Sequence, residues 1–416
     1  MTIGIFTDDF YPNSGGIARS IELQITELAK RGHRVILFAP NHSFVQPDGI
    51  ESEALDTWYI PGTAGYLCSL KFGDRQATKL CKKYNFDIVH SQNERGSLFL
   101  GARIAKTLGI PHIHTFHSNY DRMHQTSRAL ALSIFNTFTF MRIAHRILRH
   151  IRSDRKEARV RYPRHLSVQE TQSAKLDWKT IATLASYVDA FTSPAPYMID
   201  TINESTYDRL KDRGFVIPNG INGVFSRAIR TREDGTLRFL SCGRLDLEKR
   251  TEIIIRAFAK LPKADTELYI LGKGAEEKNL KRLARYLRPK NRIVFLGHYS
   301  DHEKLANEFA NSDVFVLGSY RFDTQGMVLG EAASAGSAII YCDDRLSVGV
   351  NKNNSLLTGP SVSEFSRGMR TLLEDDKRLK AMQATSRLIA PEISVEAMCD
   401  KFLSAYRRAI SSKTSE

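Results

Sequence analysis

Short apolar runs and amphipathic stretches alternate along the first half of the chain. The apolar runs are four to six residues long and rich in β-branched and aromatic side chains, which predicts buried strands. The stretches between them repeat apolar residues every three or four positions, which predicts helices. The predicted strands are 2–7, 34–39, 86–90, 112–116 and 187–192, and the predicted helices are 17–31 and 96–108.

The second half of the chain repeats this alternation. Its last predicted helix carries Ala397, Met398, Phe402 and Tyr406 on one apolar stripe. Two separate strand–helix series predict an α/β protein with two Rossmann-like domains, each a parallel sheet covered by helices. The predicted strands are 237–242, 267–271, 292–296, 313–317 and 337–341, and the predicted helices are 251–261, 275–287, 301–310, 327–335 and 394–410.

The length of 416 residues also favours two domains, because one hydrophobic core rarely serves so long a chain. The turn-forming segment 216–222, which contains Pro218 and Gly220, predicts the boundary. We expect domains at 1–215 and 216–390, with the segment 391–416 returning to the first. Ligands bind at the carboxyl ends of strands in such sheets, so a cleft between two facing domains is the expected site.

Composition and charge narrow the class of protein. The chain is 42% apolar and 25% charged, as soluble globular proteins are, and its net charge of +14 predicts an anionic partner. Its five cysteines are widely spaced without a Cys-x-x-Cys pair, which favours free thiols in a reducing compartment. The first nine residues lack the basic start of a signal peptide, and no apolar run reaches about 18 residues. We therefore expect a cytoplasmic protein.

The segment 321–336 carries the most specific chemistry. Asp323 and Glu331 flank a polar turn, Thr324-Gln325-Gly326, after which a helix is predicted from Met327. The amides and dipole at a helix start favour a phosphate, whereas carboxylates repel phosphate and suit hydroxyl groups. A sugar nucleotide has both kinds of group. The alternative is an ordinary strand–turn–helix unit with solvated acids.

Two further motifs follow predicted strands. Arg244 and Lys249 come after strand 237–242, where both cations can converge on a diphosphate, the arginine through its planar fork. Gly15 and Gly16 come after the first strand, at a helix start where backbone without side chains permits close approach by a phosphate. The alternatives are two solvated cations and a plain tight turn.

Together these motifs resemble those of the retaining glycosyltransferases of family 4, which have the two-domain GT-B fold. The pair Asp323 and Glu331 is similar to the family's paired acids, although the family usually has glutamate at the first position. The resemblance implies that Asp323 acts at the transferred sugar and that Glu331 holds the ribose of the nucleotide. It further implies that the donor diphosphate is held by Gly16, Arg244, Lys249, Gly326 and Met327.

The segment His114-Thr-Phe-His117 ends another predicted strand and resembles the family's histidine motif. The resemblance implies that His117 approaches the donor sugar and the acceptor as a catalytic residue. An ordinary buried or surface histidine is the alternative. The resemblance also implies front-face transfer with retention of configuration. No set of residues has metal-ligand spacing, so no metal or other cofactor is expected.

A strongly basic stretch bears on the acceptor. The segment 142–164 contains nine basic residues and only two acidic ones. The apolar residues Ile143, Ile147 and Ile151 recur among them at helical spacing. A basic amphipathic helix within 128–165 predicts adsorption to anionic lipid, and a solvated basic helix is the alternative. The Thr324-Gln325-Gly326 turn loosely resembles members that glucosylate diacylglycerol.

The preferred function is therefore transfer of a hexose from a UDP-glucose-like donor to a membrane lipid such as diacylglycerol, at the inner membrane face. A soluble or polysaccharide acceptor and a non-catalytic sugar-nucleotide-binding protein stay open. An epimerase or a phosphorylase of similar architecture fits the motifs less well. A nucleic-acid partner is not expected, because basic and aromatic residues do not interleave. The sequence leaves the oligomeric state open.

Overall fold

The computed structural model describes residues 1–11, 15–41, 46–59, 68–118, 142–164 and 172–414. The chain forms two compact units, one of Met1–Gly220 with Met398–Glu416 and the other of Ile221–Ala397. Each unit has a parallel sheet with helices, which confirms the predicted α/β class with two Rossmann-like domains.

The first unit contains a seven-stranded parallel sheet in the order β3-β2-β1-β6-β7-β8-β9, and β4 and β5 form a separate antiparallel pair. The chain order reverses between β1 and β6, which makes the gap beyond their carboxyl ends a topological switch point. The strands are β1 Thr2–Phe6, β2 Arg34–Pro40, β3 Glu51–Leu55, β4 Thr57–Tyr59, β5 Cys68–Leu70, β6 Ile88–Ser91, β7 His112–Thr115, β8 Ala190–Ser193 and β9 Gly214–Val216.

Helices connect the strands of this first sheet. Their apolar residues pack on it together with Phe6, Phe38 and Phe86, whose rings contact one another. Gly4 must lack a side chain, because a Cβ there would lie 2.8 Å from the Phe86 ring. The described helices are Gly16–Lys30, Asp74–Lys83, Gly96–Leu108, residues 142–151, Gln172–Ala185, Pro196–Ser205 and Val395–Thr414, with a 3₁₀ turn at Lys211–Arg213.

The second unit contains a six-stranded parallel sheet in the order β12-β11-β10-β13-β14-β15. Here the order reverses between β10 and β13. Its strands are β10 Leu237–Cys242, β11 Thr266–Leu271, β12 Arg292–Gly297, β13 Val314–Leu317, β14 Ala338–Tyr341 and β15 Ser355–Leu357. Its helices are Val224–Arg227, Thr251–Phe258, Glu277–Leu287, His302–Ala310, Met327–Ser334, Val362–Glu374 and Asp376–Ile389, with 3₁₀ turns at Leu247–Lys249 and Ala390–Ile393.

The last helix, Val395–Thr414, begins in the second unit and contributes residues 398 onward to the first. Met398, Phe402 and Tyr406 on its apolar stripe are all buried. The Tyr406 hydroxyl accepts a hydrogen bond of 2.9 Å from Gln24 Nε2 on the helix Gly16–Lys30. The helix therefore supplies a polar contact as well as apolar packing to the core of the first unit.

The sequence analysis missed several elements whose apolar pattern is weak. The edge strand β3, for example, has the sequence Glu-Ser-Glu-Ala-Leu and buries only Leu55. The helix Asp74–Lys83 likewise buries only Ala77 and Leu80. The other elements not predicted are β4, β5, β9, β15 and the helices Gln172–Ala185, Pro196–Ser205, Val224–Arg227, Val362–Glu374 and Asp376–Ile389.

All five cysteines are free thiols, and Cys68, Cys342 and Cys399 are buried. Within the described ranges, we find no helix with the length and apolar character needed to cross a membrane.

Candidate functional site

The switch point of the second sheet brings most of the predicted donor residues together. Arg244 lies two residues after the end of β10, on a loop in which Gly243 has a φ of 150°. Its Nη1 donates to Asp246 Oδ2 at 2.6 Å, and its Nη2 donates to Glu248 Oε1 at 2.5 Å. The side chain is still 60% exposed, so an anionic ligand can exchange with these carboxylates at the surface.

Lys249 contacts Asp323 directly. It ends the 3₁₀ turn Leu247–Lys249, and its Nζ lies 2.5 Å from Asp323 Oδ1. Burial raises the pKa of Asp323, but the Lys249 ammonium, the nearby Ser319 hydroxyl and the Arg244 charge outweigh it and hold this pKa below its ordinary value. Asp323 is therefore a charged carboxylate at neutral pH, next to both predicted phosphate-binding cations.

Two buried polar atoms beside this ion pair make no hydrogen bond of standard geometry within the part of the chain that the structure describes, although the Ser319 hydroxyl is near enough to Asp323 to lower its pKa. They are Asp323 Oδ2 and Ser319 Oγ. Ser319 is only 1% exposed. Because unsatisfied buried oxygens destabilise a protein, a ligand that offers hydroxyl donors at this point would satisfy them.

The helix Met327–Ser334 begins beside Asp323. Its N-cap, Gly326, has a φ of 71°, which favours glycine, and no side chain caps the first turn. Glu331 lies on this helix and is 7% exposed. Its carboxylate is close enough to Cys242 at the end of β10 to raise the pKa of that thiol, although burial has the larger effect. The helix thus places a buried acid close to the end of β10.

Residues that the sequence analysis left unassigned hold this geometry. Arg250 donates from Nη2 to the Pro360 carbonyl at 2.7 Å and from Nη1 to the Gly318 carbonyl at 3.4 Å. The buried Asp343 accepts from the Arg321 backbone N–H at 2.6 Å. Arg321 itself has a φ of 59°, an uncommon conformation for a side chain of this size. The only sequence signal for Asp343 was a carboxylate shortly after a predicted strand.

Gly15 and Gly16 follow β1 in the first unit and are both exposed. Gly15 has a φ of −102°, and a Cβ there would have no atom within 4 Å. The space around Gly15 is therefore open, as close approach by a ligand would require. Residues 12–14 of the same loop lie outside the described ranges.

His117 lies beyond the end of β7, also in the first unit, and is 9% exposed. Its Nε2 is 2.7 Å from Gln92 Oε1, which follows β6. Burial lowers the pKa of His117 to about 4, so the imidazole is neutral at physiological pH. Sequence reasoning identified His117 but not Gln92.

The structure therefore brings together Arg244, Lys249, Asp323, Glu331 and the helix start at Gly326 and Met327 in the second unit. Gly16 and His117 belong to the first unit, at the carboxyl edge of its sheet.

The basic stretch differs from its prediction. The described helix covers residues 142–151 only, and Lys156 lies beyond its end. Ile151 is buried and Ile147 packs on the core of the first unit, together with the buried Ala144 and Leu148, whereas Ile143 is 48% exposed. Residues 128–141 and 165 of the predicted segment lie outside the described ranges.

Two cations of this stretch serve the fold. Arg152 is 2% exposed and donates to the Tyr187 carbonyl and to Asp154. Arg155 pairs with the buried Asp189. In contrast, Arg146, Arg149, Lys156, Arg159 and Arg164 are exposed.

The fold and the site define a class of protein. Two parallel-sheet units, with a cationic pair and paired acids at the switch point of the second, are typical of the GT-B glycosyltransferases. The structure is similar to that of Anabaena Alr3699/HepE in complex with UDP, with a TM-score of 0.69, 15% sequence identity, and coverage of 98% of this chain and 100% of that chain. The same Anabaena protein in complex with UDP-glucose aligns with a TM-score of 0.65 and 15% identity, over 98% of this chain and 99% of that chain.

Sequence comparison is more specific. The family model "Glycosyltransferase Family 4" matches residues 14–223, and the model "Glycosyl transferases group 1" matches residues 225–388. The chain is 26% identical to the alpha-monoglucosyldiacylglycerol synthase of Streptococcus pneumoniae, over 82% of this chain and 70% of that protein. It is 24% identical to the enzyme of the same name from Acholeplasma laidlawii, over 82% of this chain and 80% of that protein. The chain belongs to glycosyltransferase family 4.

Proposed function

We propose that this glycosyltransferase moves a hexose from a UDP-glucose-like nucleotide sugar to a membrane lipid such as diacylglycerol, with retention of configuration and without a divalent metal. The proposal that the donor is a nucleotide sugar rests on one observation. Lys249, Asp323 and the start of the helix Met327–Ser334 meet at the switch point of the second sheet, with Glu331 buried on the same helix. This arrangement offers cations and amides to a diphosphate and acids to hydroxyl groups.

The donor's parts would divide among these groups by charge. The diphosphate would contact Arg244, Lys249 and the first-turn amides at Gly326 and Met327, which carry full or partial positive charge. The ribose hydroxyls would donate to Glu331. A hydroxyl of the hexose would donate to Asp323 Oδ2, which has no partner among the described residues. Aspartate is one methylene shorter than glutamate, so this sugar hydroxyl would have to lie closer to the backbone than in relatives with glutamate.

In the reaction that we propose, the bond between the sugar's anomeric carbon and the diphosphate oxygen breaks. A bond from that carbon to the acceptor's hydroxyl oxygen forms on the same face, and the hydroxyl proton passes to the leaving diphosphate. Negative charge grows on the diphosphate, and fixed cations stabilise it more than they stabilise the bound donor. Arg244, Lys249 and the helix amides would stabilise this charge, which is the role of a divalent cation in other transferases. Removing one such group typically lowers kcat by about 10²–10³.

The resemblance to family 4 also gives roles to Gly16 and His117 of the first unit. Gly16 lies at the start of the helix Gly16–Lys30, where an exposed backbone without side chains admits a phosphate. The neutral imidazole of His117 would hydrogen-bond to a substrate hydroxyl without adding charge. Both roles rest on the family's motifs and on the positions of these residues at the carboxyl edge of the sheet.

Two observations support a lipid acceptor. The relatives from Streptococcus pneumoniae and Acholeplasma laidlawii are both named alpha-monoglucosyldiacylglycerol synthase, a name that describes a glucosylated lipid product. The segment 142–164 exposes cations at 146, 149, 156, 159 and 164 together with Ile143, and exposed cations beside apolar side chains suit anionic phospholipid headgroups. We therefore propose that the protein works as a peripheral protein on the inner membrane face.

The test is a transfer assay with purified full-length protein. Radiolabelled UDP-glucose and a panel of other nucleotide sugars are offered with vesicles that contain diacylglycerol, with and without EDTA, and Glu331→Gln is the control variant. We expect an α-linked glycolipid, unchanged by EDTA and absent with the variant. A β-linked product would overturn retention, and transfer only to soluble or polysaccharide acceptors would overturn the lipid. Donor binding without any turnover would favour a non-catalytic sugar-nucleotide-binding protein.

A further inference from the structure

A continuous chain of buried hydrogen bonds runs through the first unit and ends at His117. Its members come from the helix Gly16–Lys30, from β6 and β7 and the residues that follow them, from β8, and from the C-terminal helix. Every member is at most 9% exposed. In order, the members of this buried hydrogen-bond chain are His117, Gln92, Gln24, Tyr406, His90, Thr115 and Thr192.

The first half of the chain has a defined direction. Gln92 Nε2 donates to Gln24 Oε1 at 2.9 Å, and Gln24 Nε2 donates to the Tyr406 hydroxyl at 2.9 Å. An amide that donates through its nitrogen on one side presents its carbonyl oxygen on the other. Gln92 Oε1 is therefore an acceptor, and His117 Nε2, 2.7 Å away, must carry the proton.

The second half of the chain is consistent with this direction. The Tyr406 hydroxyl accepts from Gln24, so its own proton points to His90 Nδ1 at 2.7 Å. His90 is then protonated on Nε2 and donates to Thr115 Oγ1 at 2.7 Å. Thr115 in turn donates to Thr192 Oγ1 at 2.6 Å. The Tyr406 hydroxyl, which the C-terminal helix supplies, joins the two halves of the chain by accepting from Gln24 and donating to His90.

We propose that Gln92 is a positioning residue that holds His117 as its Nε2–H tautomer, and that Tyr406, by joining Gln24 to His90, completes the chain through which it does so. If every hydrogen bond in the chain ran the other way, each glutamine would place its amide nitrogen where its carbonyl oxygen now lies. Gln92 would then donate to His117 Nε2, and His117 would be protonated on Nδ1. In the direction assigned here, Nδ1 is the acceptor atom of the His117 ring. The catalytic meaning of this tautomer rests on the proposed function, but the tautomer itself does not.

The experiment measures the tautomer directly by two-bond ¹H–¹⁵N correlation spectra of the ¹⁵N-histidine-labelled full-length protein at pH 7.5. His117 is assigned by its loss in His117→Asn. We expect the Nε2–H form alone in the wild type, and both tautomers in Gln92→Met and in Tyr406→Phe. Ser91→Ala is the matched control, because it removes an adjacent buried hydroxyl that contacts His112 and His114 instead. An Nδ1–H form in the wild type, or an unchanged His117 spectrum in Gln92→Met, would overturn the proposal.

A second variant keeps the proposal testable if Gln92→Met fails to fold. Gln92→Glu retains the acceptor oxygen and adds a negative charge beside the ring, so the pKa of His117 should rise by about 1–3 units. The neighbouring titratable groups are His90 and His114, which burial keeps neutral, and Glu94 beside His114. An unchanged His117 titration in folded Gln92→Glu would mean that the glutamine does not contact the ring.

Activity separates this proposal from the proposed function. If both hold, Gln92→Met lowers kcat at least about tenfold with little change in KM, while Ser91→Ala keeps wild-type kcat. Changed tautomers with unchanged kcat would leave Gln92 as the residue that orients His117 and would remove His117 from catalysis.

Discussion

The ion pair of Lys249 and Asp323 offers the sharpest test of the site. Lys249→Met removes the ammonium that keeps Asp323 charged, and Asp323→Asn removes the carboxylate while keeping its shape. Two unit charges about 4 Å apart at an effective dielectric constant of 20 attract by about 4 kcal/mol. The side chains are 19% and 13% exposed, so lost hydration offsets much of this attraction. We expect a coupling free energy of about 2 kcal/mol from the double-mutant cycle.

The cycle needs a signal from the second unit. Both tryptophans, Trp58 and Trp178, belong to the first unit, so their fluorescence does not report on the site. Hydrogen exchange of β10 and β13 amides under increasing denaturant measures the free energy of opening where the pair lies. The control is the exposed pair of Glu277 and Lys281, which should couple by at most about 0.5 kcal/mol.

Acid should remove this coupling. The pKa of Asp323 is lower in the folded state than in the unfolded chain. The stabilisation from its charge is therefore complete above the unfolded pKa and is lost as pH falls through the folded pKa. We expect the full coupling at pH 7 and a decline below about pH 4.

The same variants should separate nucleotide from sugar. Lys249→Met should weaken UDP binding, measured by calorimetry. Asp323→Asn should bind UDP as well as the wild type or better, because it releases Lys249 to the diphosphate, yet it should lose the added affinity for the sugar of UDP-glucose. A coupling of zero together with equal loss of UDP binding in both variants would refute this account of the site.

Three further predictions concern other groups. Glu331→Ala should abolish measurable UDP binding by calorimetry, and retained binding would remove this residue from the ribose site. Because burial lowers the pKa of His117 to about 4 from 6.5, the unfolded chain binds more protons between these values, and stability should fall as pH falls through this window. His117→Asn should reduce that slope in urea titrations by up to about 1.4 kcal/mol per pH unit, and an unchanged slope would contradict the neutral buried state. Reversing Arg146, Arg149 and Lys156 to glutamate should abolish sedimentation with anionic vesicles but not UDP binding, whereas sedimentation equal to wild type would leave the segment a solvated surface.

The sequence predicted the elements with strong apolar periodicity and missed those without it. Strand β13 and the helix from Met327 were predicted within one residue, because apolar residues and a glycine turn define both. Strand β3 was not, because its side chains are mostly exposed and its position depends on pairing with β2. Local pattern cannot reveal an element that forms through a neighbour distant in sequence.

The same division holds for the candidate site. Asp323, Lys249 and Glu331 stood out because charged residues follow predicted strands at family spacing. Gln92 and Tyr406 did not, because a buried amide or hydroxyl acquires its role from partners as far away as 382 residues, the separation of Gln24 and Tyr406. Charged residues at a known spacing can be recognised in a single sequence, whereas the partners of a hydrogen bond between distant residues cannot.

The discontinuity of the first unit has a consequence for biosynthesis. Its residues 398–416 leave the ribosome after the whole of the second unit, residues 221–397. Until then the nascent first unit lacks the phenol that Gln24 and His90 bind, and its apolar surface for Phe402 stays uncovered. The unit translated first is thus completed only after the second unit, and a premature stop between codons 398 and 402 would leave its interior without Phe402 and Tyr406.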